Sequence, residues 1–197
     1  MNKQDVLFVC ALERETQGQL DNIYYDVLYT GVGKVNATYK LTSYLESFGE
    51  YRPYKIVINY GTAGSRKYQQ GELVDCTKFV QRDMDVTGLG FIKYQTPFEN
   101  DIPIQLDYDH VEFNPIGKKA LCSSGDSFVQ DETIGDIVDM EAYALAKVCW
   151  FYKIPFISFK YITDGADGDA GTDWEENVTN GIMIFKRKVL DLIEKSS

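Results

Sequence analysis

From Val138 to Trp150 the chain has a helix-length stretch in which, after Met140, only Glu141 and Lys147 are charged. A helix that is apolar nearly all round has to be buried. Ile154-Pro155 then turns the chain into residues 156–162, an apolar run of strand length. A buried helix feeding a strand covered on both faces points to a sheet with helices packed on either side. Glu141 falls in the first turn of that helix, where an uncompensated carboxylate is costly. Asp164 falls just past the end of the strand that follows. Two carboxylates therefore arrive at the margin of one packed layer.

The remaining chain repeats the alternation. Residues 5–12 are an apolar run ending in Glu13-Arg14-Glu15-Thr16. These charges read as a solvated loop or first helical turn, where acids suit the helix dipole, or as a device placing Glu15 in a cleft beyond the strand end. Residues 26–30 form a second strand. Gly31-Val32-Gly33-Lys34 turns into a helix predicted over 35–48, with Val35, Tyr39, Thr42, Leu45 and Phe48 as its inward stripe. The glycines permit close approach to a ligand, but Asn36 stands where a dinucleotide fingerprint needs its third glycine. Residues 54–60 read as a strand running into a small-residue loop at 61–65, which offers N–H groups and the Thr62 hydroxyl. Strands are also predicted at 73–80 and 120–124. The stretch 94–119 reads as loop and short strand, with aromatics suited to packing against a second subunit. Asp83 and Asp85 read as solvated or capping acids. Asp173 reads as the N-cap of a last helix over 174–194, with Glu176 completing a capping box and Ile182, Phe185, Val189 and Leu192/Ile193 as its buried stripe.

A chain of 197 residues suits one core, so a single domain over 1–197 is expected. No apolar run is long enough for a membrane span, and residues 1–5 lack the features of a signal peptide. A formal net charge of -10 repels nucleic acid and anionic lipid at long range. Cys10, Cys76, Cys122 and Cys149 are too dispersed for a zinc site and read as buried reduced thiols of a cytoplasmic protein. The one histidine, His110, lies in an acidic stretch and reads as a surface residue. Neither a metal nor a cofactor is expected. In sheets of this kind ligands bind beyond the carboxyl ends of the strands. Glu15, Gly31/Gly33, Thr62 and Asp164 all follow predicted strands, in loops poor in Lys and Arg. That pattern favours a small polar molecule, rich in hydroxyls or cationic as it reacts, over a heavily phosphorylated one.

Seven motifs occur in one order: Ala11-Leu12-Glu13-Arg14-Glu15, Thr30-Gly31-Val32-Gly33-Lys34-Val35, Ile58-Asn59-Tyr60-Gly61-Thr62-Ala63-Gly64, Asp85-Val86-Thr87, Ser124-Gly125-Asp126-Ser127-Phe128, Val138-Asp139-Met140-Glu141-Ala142 and Ile162-Thr163-Asp164-Gly165-Ala166-Asp167. Together they resemble the nucleoside phosphorylase/nucleosidase superfamily, and within it the 5′-methylthioadenosine/S-adenosylhomocysteine nucleosidases. The resemblance implies an α/β fold, a single three-layer domain with a central mixed sheet flanked by helices. It also implies hydrolysis of the bond between adenine and a 5′-thio-substituted ribose, without a cofactor. On that pattern Asp164 gives a proton to adenine N7 and Glu15 takes one from the attacking water. Glu141, with Met140, holds the ribose hydroxyls, and its charge stabilises an oxocarbenium-like transition state. Phe128 stacks on adenine and backbone groups of Val129 read the base edge. Thr62 stands where the family has a serine near the nucleophile. Val32 and Trp174 match the 5′-substituent pocket, with core packing an equal reading. Leu89 and Pro97 match positions contributed by the partner of a homodimer.

The chain also departs from that pattern. Residues 15–26, 97–120 and 128–138 are cut back, in regions that shape the outer pocket and the dimer contact. Asp139 and Lys160 replace an acid of different length and an arginine. A hydrolytic nucleosidase is the leading reading. Its rivals are phosphorolysis, with Arg14, Arg66 or Arg82 on the phosphate, and a non-catalytic nucleoside-binding module. A Rossmann oxidoreductase ranks third because of Asn36.

Overall fold

The computed structural model describes residues 2–21, 25–49, 51, 53–129, 134–167 and 170–195, the side chains of 3, 170, 172, 175 and 176 excepted. Strand β1 (Val6–Cys10), buried at every residue, lies parallel to β2 (Asp26–Tyr29) on one side and β3 (Ile56–Gly64) on the other. The sheet continues through β4 (Leu73–Gln81), β5 (Gln105–Asp107), β6 (Ala120–Ser124), β7 (Ile137–Asp139) and β8 (Phe156–Asp164). β8 runs parallel to β3 and antiparallel to β4. β4 and β6 pair in parallel, as do β6 and β7. β3 and β7 run toward each other and touch at Gly64 and Val138. The strands β3, β8, β4, β6 and β7 thus close a ring within the mixed sheet, with β2-β1 extending from one side and β5 from the other.

Helix α1 (Glu13–Thr16) is a single turn after β1; α2 (Lys34–Glu46) packs on α3 (Ala142–Tyr152). α3 buries Ala142, Tyr143, Ala144, Leu145, Ala146, Val148 and Cys149, as expected of a helix apolar nearly all round. It begins later than the sequence suggests: Val138 and Asp139 belong to β7, and Glu141 stands at the N-cap. The expected loop at 61–65 is also corrected, because β3 stays paired with β8 through Gly64. The stripe assigned to α2 holds only at its end, where Leu45 is buried and Phe48 packs against the core. Ala37, Leu41 and Leu45 are buried, while Val35 and Tyr39 are 78% and 67% exposed. This helix carries apolar residues on two faces, so periodicity alone does not say which one meets the sheet.

The last helix is broken. α4 (Ala170–Asn177) contains Asp173 rather than being capped by it, and the chain restarts as α5 (Ile182–Phe185), a π turn over Lys186–Leu190 and α6 (Asp191–Lys195). The restart brings Gly181 so close to β8 that a Cβ there would lie 2.4 Å from Tyr161 Cγ. Ile182, Phe185, Val189, Leu190 and Ile193 are buried, and Leu192 is exposed. All four cysteines are buried free thiols, and His110 is exposed. Asp85 caps Thr87 through its backbone N–H and hydroxyl, and Asp83 pairs with Lys34. Among the described residues no helix is long and apolar enough to cross a membrane, and no group of His, Cys, Asp or Glu side chains could hold a metal ion.

Candidate active site

Glu15 is delivered by α1, whose turn bends it back over the end of β1. Its Oε2 accepts the Leu12 N–H at 3.0 Å, satisfying one of the donors a helix start leaves free. Its Oε1 accepts the Thr62 N–H at 2.9 Å and the Thr62 hydroxyl at 3.0 Å. Trp174 Nε1 donates to Thr62 Oγ1 at 2.8 Å. Gly61 is required beside this cluster, because a Cβ there would stand 3.2 Å from Glu15 Oε1 and 3.3 Å from Lys160 Nζ. Glu15 is both a first-turn acid and a buried one, so the two readings of its position are compatible.

At the end of β7 and just past it, two further acids, Asp139 and Glu141, have their proton affinities shifted in opposite directions. Asp139 is paired with Lys160 at 2.8 Å, both side chains almost completely inaccessible. It also accepts the Ser124 hydroxyl and the N–H groups of Glu141 and Ala142. Burial pushes its carboxyl up, but the Lys160 charge and these bonds hold it below its ordinary value. Burial likewise disfavours the Lys160 ammonium, and Asp139 more than offsets this. Among the described residues Glu141 accepts one hydrogen bond, from the Gly33 N–H to Oε1 at 2.7 Å. Burial, and then the Asp139 charge, push it up to about 8, with Lys160 and Gly33 opposing. The left-handed backbone of Gly33 (φ 93°) makes that contact possible.

Asp164 ends β8. Its Oδ1 accepts the Ala166 N–H at 3.0 Å and its Oδ2 the Thr163 hydroxyl at 2.9 Å. Burial raises its pKa against the pull of both bonds. Gly64 makes room for it, since a Cβ there would lie 2.3 Å from Oδ1.

These acids share one cleft of about 310 Å³. Glu15, Thr62, Met140, Glu141 and Asp164 line it together with Val32, Phe128, Val129 and Trp174. The structure does not bring Leu89 or Pro97 to it: Leu89 is 78% exposed, and both lie on the excursion between β4 and β5. Sequence reasoning gave Asp139 no role, yet it lines the cleft. It also left open whether Arg82 belongs there. Arg82 lines the cleft and braces the loop after β6 by donating to the carbonyls of Gly125 and Ser127. The available signal was Lys160, a lone cation inside the mainly apolar run 156–162, which a buried strand tolerates only with an acidic partner.

Comparison with known proteins agrees with this geometry. Residues 126–195 match the family model for the Phosphorylase superfamily. The chain is 32% identical over 199 residues to a 5′-methylthioadenosine/S-adenosylhomocysteine nucleosidase of Exiguobacterium sp., covering 91% of this chain and 84% of that one. A nucleosidase of the same kind from Actinobacillus succinogenes is 32% identical over 179 residues, covering 81% and 76%. Among solved structures, a Helicobacter pylori 5′-methylthioadenosine/S-adenosylhomocysteine nucleosidase superposes with a TM-score of 0.81 at 20% identity, covering 99% of this chain and 100% of that one. The H. pylori futalosine hydrolase superposes with a TM-score of 0.74 at 21% identity, over 89% and 92%. The order of motifs, the mixed sheet and the similarity over most of both chains converge: this chain belongs to the 5′-methylthioadenosine/S-adenosylhomocysteine nucleosidase family of the phosphorylase superfamily.

Proposed function

We propose that this protein hydrolyses the N-glycosidic bond of adenine nucleosides such as 5′-methylthioadenosine, S-adenosylhomocysteine or 5′-deoxyadenosine, releasing adenine. The observation that carries the reading is the convergence of Glu15, Glu141 and Asp164, all buried, on one cleft of about 310 Å³. Asp164, with its raised proton affinity, protonates the departing base at N7. Glu15 has Oε1 held by Thr62 and Oε2 by Leu12, and takes a proton from the attacking water. Glu141 and Met140 hold the ribose. Hydroxyls donating to Glu141 replace the water it lost on burial and favour its charged form, which stabilises the cationic sugar of the transition state. Phe128 stacks on the base, Val129 reads its edge, and Val32 and Trp174 border the 5′ substituent.

We further propose a single domain and a cytoplasmic homodimer acting in methionine salvage, with Leu89 and Pro97 reaching the partner's cleft. The exposed apolar residues Val35, Tyr39, Leu89, Ile92, Phe98 and Phe151 support the dimer. Chromatographic detection of free adenine from 5′-methylthioadenosine in phosphate-free buffer tests the activity. A strict need for phosphate would instead favour phosphorolysis, for which Arg82 in the cleft is the available cation. Binding without turnover would favour the binding module.

A further inference from the structure

One donor beside Glu15 has no part in the scheme above. The indole N–H of Trp174 points at Thr62 Oγ1, 2.8 Å away, and not at open solvent. An indole nitrogen only donates, and a hydroxyl has one proton to give. Having accepted from Trp174, the Thr62 hydroxyl must turn its proton to its other partner, Glu15 Oε1, 3.0 Å away. The same carboxylate oxygen also accepts the Thr62 N–H, and Oε2 accepts the Leu12 N–H. Both oxygens of Glu15 are therefore committed, and the orientation of the hydroxyl bond depends on a side chain from a distant helix.

Two other contacts tie the same pieces together. The Arg14 guanidinium, adjacent to Glu15 on α1, lies 5.7 Å from the centre of the Trp174 ring. Gln17, at the end of α1, donates to the Thr179 carbonyl just after α4 at 2.7 Å. The turn that carries Glu15 and the segment that carries Trp174 are thus clasped directly at two points and linked a third time through Thr62 of β3. We propose that Trp174 is a positioning residue for Glu15: through Thr62 it fixes the rotation of the carboxylate and thereby the direction of the lone pair that Oε2 still offers to water. Docking of α4 against the cleft and orientation of the base then become one event. This rests on the reading of Glu15 as the general base.

A double-mutant cycle on phosphate-free adenine release tests it. Trp174→Phe keeps a ring in the cleft and removes the N–H. Thr62→Val keeps the shape and removes the hydroxyl, while the backbone N–H to Glu15 remains. Each single variant should lower kcat, by about five- to tenfold for the loss of one hydrogen bond in the chain. The double variant should be no slower than Thr62→Val alone, because the relay is already cut. Thr62→Ser, which keeps a hydroxyl, should restore the full effect of Trp174→Phe. Effects that multiply in the Thr62→Val background would show that Trp174 acts through cleft shape alone, and would overturn the relay while leaving the nucleosidase reading intact. A wild-type protein that releases no adenine would overturn both.

Discussion

The floor of the cleft and its rim are built in opposite ways. On the floor, Glu15, Asp139, Glu141, Lys160 and Asp164 are each at most 8% exposed. Each of the four acids accepts at least one backbone N–H from the chain around it. On the rim, Phe128 is 54% exposed, and on the excursion between β4 and β5, which does not line this chain's cleft, Leu89 and Phe98 are 78% and 86% exposed. A buried charge is costly without hydrogen-bond or charge partners, so the floor follows the sheet register that supplies them and tolerates little. The rim is apolar surface that the described chain leaves uncovered, and an uncovered patch marks a place for something else to bind. The proposed chemistry thus rests on buried groups of one chain, while the exposed apolar surface is open to a partner.

That contrast can be broken at several points. The largest effects belong to the floor. Asp164→Asn and Glu15→Gln should each lower kcat for adenine release by about 10²–10⁴-fold, with circular dichroism unchanged. Full activity in either variant would remove that acid from the mechanism. Next comes the ion pair. Lys160→Met leaves Asp139 as a buried charge without its counter-ion and should cost about 3–5 kcal/mol in urea unfolding. A loss below about 1 kcal/mol would mean that the surrounding N–H groups suffice.

A third effect is a pH slope. The Glu141 carboxyl is raised from 4.5 to about 8, so between those values the folded protein holds a proton that the unfolded chain has released. Stability from this group is therefore present at low pH and lost as pH rises through that window. Glu141→Gln should flatten the decline in Tm between pH 5 and about 8, and an unchanged slope would assign the decline to other groups. Asp139, lowered by Lys160, has the reverse sign, contributing stability above the usual carboxylate range and losing it in acid. The smallest effect on folding belongs to the rim. Leu89→Ser with Phe98→Ser should shift stability by no more than about 0.5 kcal/mol per site, yet turn a dimer into monomer by sedimentation. A wild-type monomer, or an unaltered dimer, would argue against the rim as the contact.

Most strands were legible as short, mainly apolar runs bounded by polar or glycine-containing turns, as at residues 5–12 and 54–60. Glu15 and Asp164 were legible because each follows a strand run, and Glu141 because it opens an apolar helix; the ordered motifs suggested the roles proposed for them. β7 was not, since three residues paired on both sides carry too little pattern to stand out. Thr62 was read into a loop because Gly61, Ala63 and Gly64 look like loop residues. They are small for another reason: Gly61 and Gly64 leave room for Glu15, Lys160 and Asp164.

Alone, the sequence determined the alternation of strands and helices, the burial of α3 and the placing of Glu15, Glu141 and Asp164 near strand or helix ends. These are local matters of periodicity, composition and chain direction. Only the tertiary structure decided that β8 closes the ring between β3 and β4, that α2 buries Ala37 and Leu41 and leaves Val35 and Tyr39 outside, and that Asp139 meets Lys160. Each of those depends on a partner distant along the chain. Side-chain spacing along one segment says which residues share a face, but what that face meets is chosen by packing.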